Sequence, residues 1–166
     1  MTDELRLVNL RIDEEECPEF GKLQNDAAAL CAALVEDTQR QCAAHSEPPP
    51  TAVLLIKDDA FKIFRTRELP TSVIAALGQK LAKEWGAKAG AMICFGGIAD
   101  KANGEPCDDT ASPVIVVYVE TGEGEHCIDF HRPVAHKGRI ARFVALFRQT
   151  GEDAKQAAPF AFFGEE

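Results

Sequence analysis

The chain has 166 residues, of which 46% are hydrophobic and 27% are charged, and its formal net charge at pH 7 is −9. These values are typical of a folded globular protein and exclude collagen-like, disulfide-scaffold and wholly disordered chains. A strongly acidic protein is also a poor general binder of nucleic acid or anionic membrane, because phosphate binding requires a cationic surface. The length predicts about one domain with a hydrophobic core.

The negative charge is concentrated near the start of the chain. The first fifty residues contain eleven acidic and four basic residues, and four acidic residues follow one another at positions 13–16. The segment 131–151 has the opposite character, since it carries five basic residues and no acidic ones. These two segments are complementary, and they could meet within one chain, between two copies or on a partner.

The predicted elements of the first half begin with an acidic N-terminal arm or strand over residues 1–20. A helix is predicted over about 22–44, because its leucines and alanines recur at spacings of three and four, and three prolines follow it. Strands over 51–57 and 60–65 form a hairpin. A second helix is predicted from about residue 70 to Trp85, and Gly86 is suited to the left-handed conformation that ends it.

The second half starts with a predicted strand over 89–98 and a polar loop over 99–112. Strands over 113–120 and 126–132 follow, joined by a turn in which Gly122 and Gly124 permit positive φ angles. A third helix is predicted over 137–149, because Ile140, Phe143 and Phe147 recur at helical spacing. Residues 151–166 form an aromatic C-terminal tail.

This element order, α-β-β-α-β-β-β-α, predicts an α+β protein with a single domain over residues 21–150. Most links between the strands are too short for parallel crossovers, so the pairing is expected to be antiparallel. We therefore expect a sheet of about five strands with three helices packed on it.

One candidate site lies in the strand predicted at 126–132. Cys127, Asp129 and His131 alternate along it, so their side chains share one face, and these residue types serve small hydrolases and metal-dependent enzymes. Cys127, His131 and His136 form an alternative set of metal ligands. The spacing opposes a shared ion, because Cys127 and His131 lie about 13 Å apart along a strand. A strand with one polar face is the simpler interpretation.

Candidate partner-binding residues fall into three groups. The acidic group favours a basic surface on a partner protein, and the basic group, placed on the predicted third helix and beside it, favours an acidic surface, a phosphate or a nucleotide. The aromatic group in the tail is expected to dock on its own sheet or on another chain, because exposed aromatic clusters are costly. The three groups are Glu14, Glu15 and Glu16; Arg132, Arg139 and Arg142; and Phe160, Phe162 and Phe163.

The compartment is predicted from the cysteines and the N-terminus. The six cysteines include no C-x-x-C pair, and the first residues lack the features of a signal peptide. No apolar run approaches the roughly 20 residues of a membrane span. We expect a cytoplasmic protein with free thiols, without membrane contact and without a cofactor.

The segment from Leu77 to Ala89, followed by a strand, a polar loop and the hairpin at 113–132, resembles small α/β proteins of phages, prophages and other mobile elements. The resemblance covers about a third of the chain and implies no established activity. The element order also looks like the roadblock/profilin-like modules, which mostly dimerise and bind other proteins.

The leading hypothesis is therefore a non-enzymatic protein-binding module, expected to be a homodimer, that docks on or inhibits a partner as a phage accessory factor would. The first alternative is a small hydrolase or metal-dependent enzyme that uses Cys127, Asp129 and His131. The second alternative is a phosphate- or nucleotide-binding module that uses the basic third helix.

Overall fold

A computed structural model of the chain describes residues 12–44, 51–66, 71–97, 113–136, 139–158 and 162–163. Its helices are α1 (Pro18–Gly21), α2 (Ala27–Ala44), α3 (Thr71–Trp85) and α4 (Gly151–Ala157). Its strands are β1 (Ile12–Glu16), β2 (Thr51–Lys57), β3 (Ala60–Thr66), β4 (Ala89–Gly97), β5 (Pro113–Thr121), β6 (His126–His136) and β7 (Arg139–Thr150). All seven strands form one antiparallel sheet in the order β1-β3-β2-β4-β5-β6-β7.

The structure confirms the α+β class and the antiparallel pairing, but the predicted numbers of strands and helices are wrong. The described residues contain seven strands and four helices rather than five and three. The two further strands are the two edges of the sheet: β1, which falls in the segment predicted as an arm or a strand, and β7, which was not predicted as a strand. The short helices α1 and α4 have too few residues for a periodic signal, so the sequence pattern did not reveal them.

The predicted third helix is the main error, because residues 139–150 form strand β7. Its pairing with β6 shifts register between Phe130 and His131 and again between Val134 and Ala135. Each shift adds one residue to β7, so the alternation of its faces restarts. The spacings of three and four between Ile140, Phe143 and Phe147 imitate the period of a helix. In the strand, however, Phe143 and Phe147 lie on opposite faces of the sheet, since Phe143 packs on the cluster under α2 and Phe147 stacks on Phe130. Arg139 and Arg142 consequently lie on a strand and not on a helix.

The core lies in two layers, one on each face of the sheet. In the internal strand β2, Leu54 and Ile56 belong to the cluster under α2, whereas Val53 and Leu55 belong to the cluster under α3 and α4. All four side chains are at most 3% exposed. A strand that is buried on both faces must be apolar throughout, which explains the continuous apolar run at this position.

The acidic residues at 13–16 form most of β1, which pairs with β3 on one side. Glu14, Glu15 and Glu16 are exposed, and an edge strand can carry such charges because its side chains reach solvent. Residues 1–11, which contain the rest of the predicted arm, and the loop at 98–112 lie outside the described residues. Within the described ranges, no helix is both long and apolar enough to cross a membrane.

Candidate functional site

A groove opens on one face of the sheet because α2 covers only part of that face. Helix α2 packs mainly on β5, β6 and β7, whereas the four-residue helix α1 lies against β2 and β3. Between the two helices lies a cavity of about 450 Å³. Cavities of this size hold small ligands or a few side chains of a partner.

The floor of this groove is apolar, and its rim is mostly acidic. Side chains of three strands form the floor, and Phe20 and Leu34 of the two helices form its walls. The floor residues are Ala52, Leu54, Phe61, Ile63 and Ile93. The charged residues of the rim are Glu15, Glu16, Glu19, Asp37, Arg40 and Arg65. The acidic groups outnumber the basic ones, so the rim favours a cationic ligand.

Three of these rim charges, Arg40, Asp37 and Glu19, already interact with neighbours. Arg40 donates a hydrogen bond to Asp37 at 3.4 Å, which pairs two of the rim charges on α2. The thiol of Cys17 donates to Glu19 at 3.4 Å, and hydrogen bonds from the backbone and from this thiol lower the pKa of the Glu19 carboxyl. Burial, followed by the contact with Glu19, raises the pKa of Cys17. Glu19 therefore stays anionic at neutral pH.

Of the predicted acidic group, Glu15 and Glu16 line the groove, and Glu14 does not. Glu14 lies opposite Lys62 of β3, with 3.8 Å between its Oε1 and the lysine Nζ. This exposed ion pair contributes little to stability. The structure thus brings two of the three predicted residues to one candidate surface.

The second candidate site, on β6, is built around the buried carboxylate of Asp129. Arg148 of β7 lies opposite Asp129 and donates to both carboxylate oxygens, with 2.8 Å from Nη2 to Oδ2. His131 Nε2 lies 3.5 Å from Oδ2. Burial opposes ionisation of Asp129, but the hydrogen bonds from Arg148 and His131 outweigh it and lower the pKa to about 2. Asp129 is therefore a structural anion whose acceptor sites are occupied.

Two thiols lie beside this carboxylate. Cys31 of α2 and Cys127 of β6 are both 0% exposed, and their sulfur atoms and an oxygen of Asp129 lie within 4.8 Å of one another. The close approach of the two thiols raises the pKa of Cys31 and lowers that of Cys127. The Cys127 thiol donates to Oδ1 of Asp129 at 3.8 Å. Cys31 also donates to the carbonyl of Val117 at 3.4 Å.

This cluster has the residue types of a catalytic or metal site but not the access that such a site needs. Cys127 and Asp129 are closed to solvent, and the groove between α1 and α2 is not lined by Cys127, Asp129 or His131. A metal ion bound by Asp129 would also lie next to the guanidinium of Arg148, which repels it. His136 lies in β6, and its side chain is outside the described part of the structure.

The basic group is distributed over two strands. Arg132 and Arg142 are exposed, and they occupy diagonal positions on one sheet face, because Arg132 pairs with Val144 and Arg142 with Val134. Arg139 lies opposite His136, and its side chain is not among those described. Arg139 and Arg142 therefore do not share a helix face, because residues 139–150 form a strand. The predicted role of these arginines in phosphate or nucleotide binding stays a prediction.

The aromatic tail folds back on its own sheet. Phe162 is 4% exposed and stacks on Tyr118 with 6.5 Å between ring centroids, so it is not open to a partner in this conformation. Glu120, which is 3% exposed, accepts the backbone N–H of Phe162 at 2.7 Å and that of Phe163 at 3.2 Å. Phe163 is half-buried, and Phe160 lies outside the described residues.

Sequence reasoning missed several residues of these sites, above all Cys31, Arg148 and the floor of the groove. Cys31 is 96 positions from Cys127, and no local pattern links the two. Arg148 could have been found if residues 139–150 had been predicted as a strand, because a hairpin of β6 and β7 places Arg148 opposite Asp129. Comparison with protein-family models, with curated proteins and with solved structures finds no match to this chain.

Proposed function

We propose that this protein is a non-enzymatic binding module that holds a basic segment of a partner protein in the groove between α1 and α2. The observation that carries the proposal is the combination of an apolar floor and a mostly acidic rim around a cavity of about 450 Å³. An apolar side chain of the partner would enter the cavity, and neighbouring lysine or arginine side chains would contact the rim. Such a protein would act as an accessory factor that docks on its partner.

The charge of the chain supports a basic partner. Glu15, Glu16 and Glu19 lie next to one another at the α1 side of the groove, whereas Arg40 is paired with Asp37. Complementary charge increases the rate of association and selects the partner, while the apolar contact in the cavity contributes most of the affinity.

The enzyme alternative has weaker support. Its residues Cys127, Asp129 and His131 lie together on one face, but the thiol is buried and the carboxylate is held by Arg148. A hydrolytic nucleophile must reach its substrate and must lie beside a base. The geometry therefore favours binding over catalysis.

The test is a binding titration with a fluorescein-labelled peptide that has one leucine between two pairs of arginines. The expected result is saturable binding that falls at least tenfold when Glu15, Glu16 and Glu19 are all changed to Gln. A peptide with glutamates in place of the arginines should not bind. The matched control changes Glu123→Gln, Glu152→Gln and Asp153→Asn, which alters the net charge equally at exposed positions away from the groove.

Two results would contradict the proposal. The first is the absence of saturable binding by the basic peptide up to millimolar concentration. The second is an equal loss of binding in the control variant, because binding would then depend on overall charge and not on the groove.

A further inference from the structure

The large apolar side chains that are exposed all lie on the two edge strands. Among the described residues they are Ile12, which is 41% exposed, Leu146, 42%, and Phe147, 50%. Ile12 belongs to β1, and the other two belong to β7. Edge strands also present backbone N–H and C=O groups that can pair with another strand. Apolar surface and open pairing capacity therefore coincide at both edges.

The two edges carry opposite charges. Strand β1 has four carboxylates, at positions 13–16, and no basic residue, whereas β7 has three arginines and no acidic residue. Five strands lie between these edges, which separates them by on the order of 30 Å. Within the sheet of one chain, the acidic and basic strands consequently do not meet.

We propose that copies of this chain associate head to tail, with β1 of one copy beside β7 of the next. Two β1 edges repel each other through their carboxylates, and two β7 edges repel each other through their arginines. Only the combination of β1 with β7 brings opposite charges together and covers apolar surface on both sides. Association between unlike surfaces leaves one edge of each kind free, so further copies can add or the chain of copies can close into a ring.

The contact on β7 is expected near Leu146 and Phe147. Closer to the start of β7, the backbone N–H of Phe143 already donates to the side chain of Gln39 in α2 at 2.8 Å. That donor is therefore satisfied within the chain. Arg142 and Arg148 flank the apolar pair, and although Arg148 binds Asp129, its side chain is still 40% exposed. This arrangement places positive charge on either side of the apolar contact.

The test uses two variants that each block one edge. Ile12→Lys puts a positive charge on β1, which would meet the arginines of β7. Leu146→Glu puts a negative charge on β7, which would meet the carboxylates of β1. Each new charge is therefore repelled by the strand that it would meet. Each variant alone should be a monomer of 18.0 kDa in light scattering after size-exclusion chromatography. An equimolar mixture should give a species of twice that mass, because each variant supplies the edge that the other lacks.

The wild-type chain should form larger species as its concentration rises, and these should dissociate as the salt concentration increases. Ala76→Lys and Ala76→Glu, at an exposed position of α3, serve as the matched controls and should leave the association unchanged. Circular dichroism and thermal melting confirm that each variant is folded. Ile12→Thr and Leu146→Thr form a milder second pair where a charged variant fails to fold.

Three results would overturn the proposal. A wild-type chain that is a monomer at all concentrations up to millimolar has no such contact. A dimer formed by Ile12→Lys alone shows that the β7 edges of two copies pair with each other. A mixture of the two variants that stays monomeric, while the wild type associates, shows that another surface is used. None of these results depends on the peptide groove, whose test uses other substitutions.

Discussion

The ring of Phe162 occupies the space directly over Gly90 of β4. A Cβ atom on Gly90 would lie 2.6 Å from Cγ of Phe162, which is closer than any side chain allows. The C-terminal aromatic residue and a glycine 72 positions earlier are thus fitted to each other. Removal of the ring leaves a cavity, and addition of a methyl group to the glycine leaves no room for the ring.

This fit predicts the stability of Gly90→Ala and Phe162→Ala. Each single substitution should lower the free energy of unfolding by about 2–4 kcal/mol, because each removes the contact between the ring and the sheet. The two effects should not add, since alanine at position 90 has no ring to displace once Phe162 is gone. Urea unfolding of the four proteins of this double-mutant cycle measures the coupling. Additive effects would show that the ring does not pack on Gly90.

The same tail predicts a role for the buried carboxylate of Glu120. It accepts hydrogen bonds from the hydroxyl of Tyr118 and from two backbone N–H groups, those of Phe162 and Phe163. In Glu120→Gln one of the acceptor oxygens becomes an amide donor, which leaves an N–H group without a partner. We expect a loss of about 1–3 kcal/mol in the free energy of unfolding.

Hydrogen exchange shows where that loss arises. In Glu120→Gln, exchange at the backbone amides of residues 162 and 163 should become faster, while exchange in β2 should follow only the change in global stability. The control Glu123→Gln, in an exposed turn, should alter neither. Unchanged exchange at residues 162 and 163 would contradict the proposed hydrogen bonds.

The pair of Asp129 and Arg148 predicts a dependence of stability on pH. The pKa of Asp129 is about 2 in the folded chain, below its ordinary value of 3.8. Folding therefore favours the ionised form, so the stabilisation is complete above about pH 4 and is lost as the pH falls towards 2. Its size is about 1–2 kcal/mol, since the partial exposure of Arg148 reduces the full value by solvent screening.

Comparison of wild type with Asp129→Asn by urea unfolding between pH 2 and pH 7 measures this contribution. The difference in stability should shrink as the pH falls below 4. The matched control is Asp37→Asn, which breaks an exposed pair of the same residue types and should change stability by less than about 0.5 kcal/mol. A constant difference across the whole pH range would contradict the shifted pKa.

The alkylation rate of the Cys17 thiol depends on its surroundings in the groove. Burial, with the nearby Glu19, raises its pKa, so little thiolate is present at neutral pH and alkylation should be slow. Glu19→Gln removes the acidic neighbour and should increase the alkylation rate at pH 8 several-fold. The control Glu36→Gln, exposed on α2 and outside the groove lining, should not.

The basic peptide should also protect Cys17 from alkylation, because the thiol lines the groove. Mass-spectrometric mapping of iodoacetamide adducts measures the rate at each cysteine with and without peptide. Cys31 and Cys127 are fully buried and should react slowly in both cases. Equal labelling of Cys17 with and without bound peptide would place the peptide elsewhere.

The elements that the sequence predicted well are those with one uniform pattern over many residues. The bounds of β2 agree with the prediction, and those of β3, β4 and α3 differ by about a residue. Strand β7 was misassigned because its two bulges disturb the alternation that identifies a strand. The candidate site was predicted only in part, since Glu15 and Glu16 come from a local charge run, whereas Phe61 and Leu34 come from distant elements.

The sequence by itself determined the class of the fold, the antiparallel pairing and the concentration of acidic residues near the start of the chain. These properties depend on local periodicity, short connections and composition, which are readable without contacts. The tertiary structure decided where those charges lie. It placed the acidic and basic strands on opposite edges of one sheet and left a groove where α2 does not cover it. Strand order and helix coverage arise from contacts between distant residues, and no local pattern encodes them.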